Sequence, residues 1–183
     1  MACSTTALNA VTGCTDDSGG IVRSWYCLLS DITAITLTSG VISGFTMAST
    51  GLWKALVYDK DDTAYYNEVG GRANGNRFSV TQTAFLKFKG MSQPYVTAAN
   101  ASKDCCNIVC IHVYANNTRH VQGIEIDATA VGGFVGSRLD TRITPSKYSD
   151  TGANQARLEY LIEGQANTLS TTTSLTDAAI AAL

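Results

Sequence analysis

The stretch KDCCNIVCIHVYANN, from Lys103 to Asn117, places three of the chain's six cysteines within six residues, with a histidine two positions further on. Such a cluster could bind a metal, pair a nucleophile with a base, or simply pack. Asn116 and Asn117 are turn residues, so Cys105–Ala115 and Thr118–Ala128 are expected to pair as a β-hairpin. On a strand Cys106 and Cys110 lie roughly 13 Å apart, too far to share a zinc ion that needs each sulfur at about 2.3 Å. Cys105 and Cys106 point to opposite faces, and a two-residue Asn-Asn turn puts His112 and His120 on opposite faces as well. Cysteine catalysis needs a base within hydrogen-bond reach. His112 is about 6.5 Å from Cys110 along the strand, and no acid stands ready to orient it. The thiols are therefore expected to serve as small hydrophobes. No catalytic residue, metal ligand or cofactor site is assigned.

The elements that would position these residues are strands. In the simplest register Val109, Ile111 and Val113 form a core face with Ile124 and Ile126. Cys106, Ile108, Cys110, His112 and Tyr114 face the other way, opposite Arg119, Val121, Gly123 and Glu125. That second face is semi-apolar, so it too is expected to be covered. Ile21–Leu29 and Leu52–Asp59 read as strands from their branched and aromatic content. Asp31–Met47 reads as two strands punctuated by Ser39-Gly40. In NRFSVTQTAFLKFKG, Phe78, Val80, Ala84, Leu86 and Phe88 share one face broken only by Gln82, a period of two. Ser92–Asp104 is the best internal helix candidate, with Ser92 as cap and Pro94 in the first turn. Residues 1–20 read as an irregular arm. Lys60–Asn76 is polar, Gly-rich and without period, and reads as an interaction loop.

Composition limits the function classes. The chain has 183 residues, enough for a single domain. Apolar residues make up 45% but charged residues only 15%, against roughly 25% in an ordinary soluble domain. A surface so thin in charge suits a protein that buries much of it against neighbours. The net charge of −2 and the lack of a basic stripe argue against tight nucleic-acid binding. No segment is long and apolar enough for a membrane helix. The opening MACSTTALNAVTGC lacks a basic segment followed by an apolar run, so no export signal is expected and the cysteines are expected as reduced thiols. The sequons at Asn100 and Asn116 then carry no meaning. The glycines of EVGGRANGNR and VGGFVGS match neither phosphate-binding pattern. Val131–Val135 reads instead as a close-packed bend or subunit contact.

Several stretches taken together, SDITAITLTSGVISGFTM, LVYDKDDTAYYNE, FSVTQTAFLKFKGMS and CCNIVCIHVYANNTRHVQGIEID, carry a resemblance. The chain resembles structural proteins of tailed bacteriophages, in particular tail tube proteins, over roughly residues 20–165. The likeness is of pattern and order, and the six cysteines are not a family requirement. The resemblance implies a mainly β fold: an antiparallel β-sandwich or partial barrel with one flanking α-helix and long assembly loops. It implies a virion component that forms homo-oligomeric, typically hexameric rings, which stack into a tube that passes DNA without reading it and meets other tail or connector proteins. A head–tail connector, tail terminator or capsid decoration protein would share these traits. A monomeric β-sandwich binding module and an enzyme are the readings from other classes. The interface is expected at Tyr65, Tyr66, Gly70, Gly71 and Arg72, in the 60–76 loop, and at Val131, Gly132, Gly133 and Phe134.

Overall fold

The computed structural model describes residues 20–56, 58, 64–72, 78–87, 107–127, 130–134, 136–144, 157–166, 168 and 170–183. The strands are β1 (Ile21–Leu28), β2 (Ile32–Thr38), β3 (Val41–Met47), β4 (Lys54–Leu56), β5 (Tyr65–Arg72), β6 (Phe78–Lys87), β7 (Ile108–Tyr114), β8 (Arg119–Gln122), β9 (Ile124–Asp127), β10 (Ala130–Phe134), β11 (Arg138–Thr144), β12 (Arg157–Ala166) and β13 (Thr171–Thr172). A short helix, α1 (Asp177–Ala181), follows. The mainly β, antiparallel architecture is the one expected. The helix expected at Ser92–Asp104, the arm before residue 20 and Cys3, Cys14, Cys105 and Cys106 lie outside the described residues.

The β2–β3 hairpin turns at Ser39 and Gly40, both at positive φ (53° and 79°), which is the backbone a tight two-residue hairpin requires. The β7–β8 hairpin turns differently from the expected Asn-Asn pair. Its loop is three residues, Ala115–Asn117, closed by Tyr114 N–H to Thr118 O at 2.9 Å. Asn117 takes the left-handed conformation (φ 64°), and the Asn116 side chain accepts from Thr118 N–H. The longer loop slips the register by one residue, pairing His112 with His120 and Ile111 with Val121. A one-residue slip flips every side chain of the returning strand. The two histidines therefore share a face, and Val121 joins the Ile111 side, both contrary to the simplest register.

Gly123 (φ 93°) then breaks the ladder after Gln122, and β9 leaves β7 to pair with β10. This bulge resets the alternation. Val121, Ile124 and Ile126 all reach one hydrophobic cluster with Val109 and Ile111, although Val121 and Ile124 differ by an odd number of positions. The Val131–Val135 bend is, over Ala130–Phe134, this partner strand β10, with its own irregularity between Val131 and Gly133.

Three layers result. The central sheet runs β13-β8-β7-β1-β4, and a second sheet runs β11-β12-β6-β5. Ile21, Ala84, Leu86, Ile108, Cys110 and Ile162 pack between them. The other face of the central sheet is covered by β2–β3, β9 and α1, through Ile32, Ile42, Phe45, Ile124 and Ile180. β7 is thus buried on both sides, as a continuous apolar strand should be. Both edges of the second sheet begin from bonds to the central one: Ile21 N–H reaches Ala64 O at 3.4 Å, and Ile108 and Ser137 exchange both bonds at 2.7 and 2.8 Å. The sandwich is in this sense a partial barrel.

α1 is capped by Thr176, whose hydroxyl accepts from Ala179 N–H at 3.2 Å, and anchored by the fully buried Ile180. Asp177 in its first turn bonds Arg23 of β1 at 2.6 Å and Arg119 of β8 at 3.1 Å. Arg119 and Asp177 are mostly covered while Arg23 is 57% exposed. Asp177→Ala strands the covered Arg119 and should cost about 1–3 kcal/mol in urea unfolding. Arg23→Ala should cost well under about 1 kcal/mol. Equal losses for the two would refute this division.

Candidate functional site: a buried polar seam and an exposed edge

Gln82, the residue that interrupts the apolar face of β6, is fully buried and is the hub of a polar seam between the two sheets. Its Nε2 donates to Glu68 Oε1 at 3.1 Å, and its Oε1 accepts from Gly123 N–H at 3.1 Å. The bulge at Gly123 is thus held by a side chain of the opposite sheet. Gln122, also fully buried, donates through Nε2 to Gln82 O at 3.2 Å and Ile162 O at 3.0 Å. Two backbone acceptors fix which end of this amide is nitrogen, so its Oε1 must face His112 Nε2, 2.9 Å away.

That orientation sets the tautomer of His112. An acceptor at Nε2 requires the proton there, so Nδ1 carries the lone pair and accepts from the Ser24 hydroxyl at 2.9 Å. The Tyr66 ring stacks on the imidazole with centroids 5.0 Å apart. The Tyr66 hydroxyl donates to Glu68 Oε1, which also accepts from Ser170 N–H at 2.9 Å. Beside it, His120 Nδ1 meets Ser170 Oγ at 3.1 Å, and Tyr114 packs edge-on against the His120 ring at 5.4 Å.

Burial controls the acid–base chemistry here. It pushes the His112 imidazole down to about 4, with the neighbouring His120 adding to the effect. It lowers His120 too, partly opposed by Glu68. It holds the Tyr66 phenol far above its ordinary range, reinforced by the bond to Glu68. Cys27 is pushed up to about 12 and Cys110 higher still, in both cases chiefly by burial. Both are free thiols on opposite faces of the central sheet, and as buried neutral thiols they are poor nucleophiles.

Ser24, His112 and Gln122 form a hydroxyl–imidazole–amide series superficially like a nucleophile triad. Their exposures are 1%, 0% and 0%, so no substrate can reach the hydroxyl, and a neutral amide cannot offset the charge of an imidazolium as a carboxylate does. Among the described residues no group of three or more His, Cys, Asp or Glu side chains could hold a metal ion. The seam's chemistry is therefore that of a lock, a set of mutually satisfied buried polar groups that fixes how the sheets dock.

The residues expected at an interface separate. Tyr65–Arg72 is a strand and not a loop, paired with β6 from Tyr65↔Phe85 to Arg72↔Phe78. The reason is visible in its inward face: Tyr66 and Glu68 are bound in the seam, so the core side of β5 is polar and the hydropathy alternation vanishes. Tyr66 consequently faces inward, away from any neighbour. Tyr65 is 44% and Val69 61% exposed, with Gly70 and Gly71 exposed after them. Arg72 ends the strand, and Val131, Gly132, Gly133 and Phe134 lie in β10; the side chains of these five are outside the described residues. Sequence reasoning missed Gln82, Gln122, Glu68 and the histidine pair. The signal for the seam's hub was Gln82 itself, a polar residue in the middle of an apolar face. Comparison with family models, curated proteins and solved structures finds no match for this chain.

Proposed function

We propose that this chain is a structural subunit that assembles with copies of itself, forming rings, hexameric in the arrangement its sequence resembles, that stack into the tail tube of a bacteriophage virion and pass DNA. The observation that carries self-assembly is the edge strand β5. Among the described residues its only strand partner is β6. The N–H and C=O groups on the side of this eight-residue strand away from β6, unpaired with any strand among the described residues, are a template for pairing with another chain. The common protections, lysine and proline, are missing from YYNEVGGR, and its one acid is turned inward and bonded. The Tyr65 ring stacks on Phe85 at 5.5 Å, which presents a fixed aromatic surface beside Val69. The low charge content points the same way.

Val69→Lys tests this reading. A lysine on the open edge sets a charge into the pairing surface without entering the core. The parent should form particles far larger than 19.4 kDa by sedimentation, and rings or tubes by electron microscopy. The variant should keep its circular dichroism and need at least about tenfold more protein to assemble, a loss of ~1.4 kcal/mol per contact. A parent that stays monomeric at every concentration would end the proposal. Single rings without stacking would replace the tube with a connector or terminator role.

A further inference from the structure

We propose that His112 and His120 form a proton-operated latch on β5, closed while both imidazoles are neutral and released when both carry charge. The two residues are direct cross-strand partners, a position that leaves their Cβ atoms only about 4.5–5.5 Å apart. Tyr66 of β5 lies over both rings, stacked on His112 at 5.0 Å and tilted to His120 at 6.3 Å. Whatever separates or charges this pair is felt first by β5.

The groups facing the pair can be named strand by strand. β7 contributes Cys110 and Tyr114, β5 contributes Tyr66 and Glu68, β6 Gln82, β8 Gln122, and β1 Ser24 and Tyr26, with Tyr58 beside Ser24. Arg119 and Asp177 belong to the opposite face, with α1. Among the described residues Glu68 is thus the single carboxylate on this side, and its Oε1 already accepts from Tyr66, Gln82 and Ser170. One proton, on the partly exposed His120, can be balanced by Glu68. A second proton, on His112, adds to Nδ1 and makes the Ser24 hydroxyl an acceptor. It also places a second cation beside the first, with no further anion to meet it.

The signs follow from the histidines' environment. Both are held below their ordinary value, His112 to about 4. The unfolded or opened chain binds these protons near pH 6.5; the closed chain takes up both only at lower pH, His112 not until about pH 4. The latch is therefore fully closed above pH 6.5 and weakens as pH falls from 6.5 toward 4. The inference does not depend on self-assembly.

Hydrogen exchange read by mass spectrometry tests it on the full chain, at a concentration where sedimentation gives the same assembly state at both pH values. Peptides covering residues 64–72 are followed at pH 7.0 and pH 4.5, with rates normalised for the intrinsic pH effect. Protection of β5 should fall by roughly tenfold or more, while the β2–β3 hairpin on the far layer keeps its protection. In His120→Gln, which removes one of the two charges and retains a hydrogen-bonding group for Ser170, the loss should be clearly smaller than in the parent, the remainder being carried by the buried His112. Equal β5 protection at both pH values in the parent would overturn the latch without reference to any variant. A fall of the same size in His120→Gln, or a uniform fall over the whole chain, would overturn it as well.

Discussion

Gly123→Ala should destabilise the chain by about 3–5 kcal/mol, a large share of what holds a domain of this size together. Gly123 sits at φ 93°, a backbone state in which an L side chain is strained by about 1–3 kcal/mol. A Cβ built there would lie 2.9 Å from Ile108 O and 3.3 Å from two backbone atoms of Gly136. None of these can withdraw cheaply. Ile108 O accepts from Ser137 N–H at 2.7 Å, and Gly136 N–H donates to Gly123 O at 2.8 Å. These bonds tie the second sheet to the central one. Gly136 (φ 64°) is equally closed, with a Cβ falling 2.3 Å from that of Asn107. Gly71→Ala is the control, since a Cβ there meets nothing within 4 Å, and it should change stability by less than about 0.5 kcal/mol. Urea unfolding decides between them. If Gly123→Ala unfolds at the same midpoint as Gly71→Ala, the junction is softer than these distances require.

What the sequence disclosed follows a physical line. The Ser39-Gly40 turn and the Phe78–Lys87 alternation were legible because one side of each element is apolar and its turn chemistry is local. The β7–β8 pairing was not, because Asn116-Asn117 fits a two-residue turn and a three-residue one almost equally. The choice is made by Asn117 adopting a left-handed backbone and Asn116 bonding Thr118. β5 was invisible as a strand for another reason. Periodicity detects a strand through the contrast between a dry face and a wet one, and here the inner face is Tyr66 and Glu68. Gly123, an isolated glycine within a strand pattern, is the usual mark of a bulge. Read so, it would have restored Ile124 and Ile126 to the face of Val121. The histidine pair needed that register before it could be seen at all.

Replacing Gln82 by leucine is expected to cost about 3–5 kcal/mol, although simple hydrophobicity argues for the opposite sign. Leucine would complete the apolar face of Val80, Ala84 and Leu86, all 0% exposed, and burying it in place of an amide should gain ~1 kcal/mol or more. The seam reverses this. Gln82 Oε1 is the acceptor for Gly123 N–H, and a buried N–H left unpaired costs about 1–3 kcal/mol. Its Nε2 is one of three donors to Glu68 Oε1, so the leucine also takes a hydrogen bond from a largely buried carboxylate. The two losses act through a shared network, so they will not add simply with others. Glu68→Ala should cost less in the Gln82→Leu background than in the parent, because the Gln82–Glu68 bond can be lost only once. Denaturant unfolding of the four proteins of this cycle gives the answer. A Gln82→Leu variant as stable as the parent, or more so, would mean that the sheets are docked by their apolar contacts alone and that the polar seam sets no register.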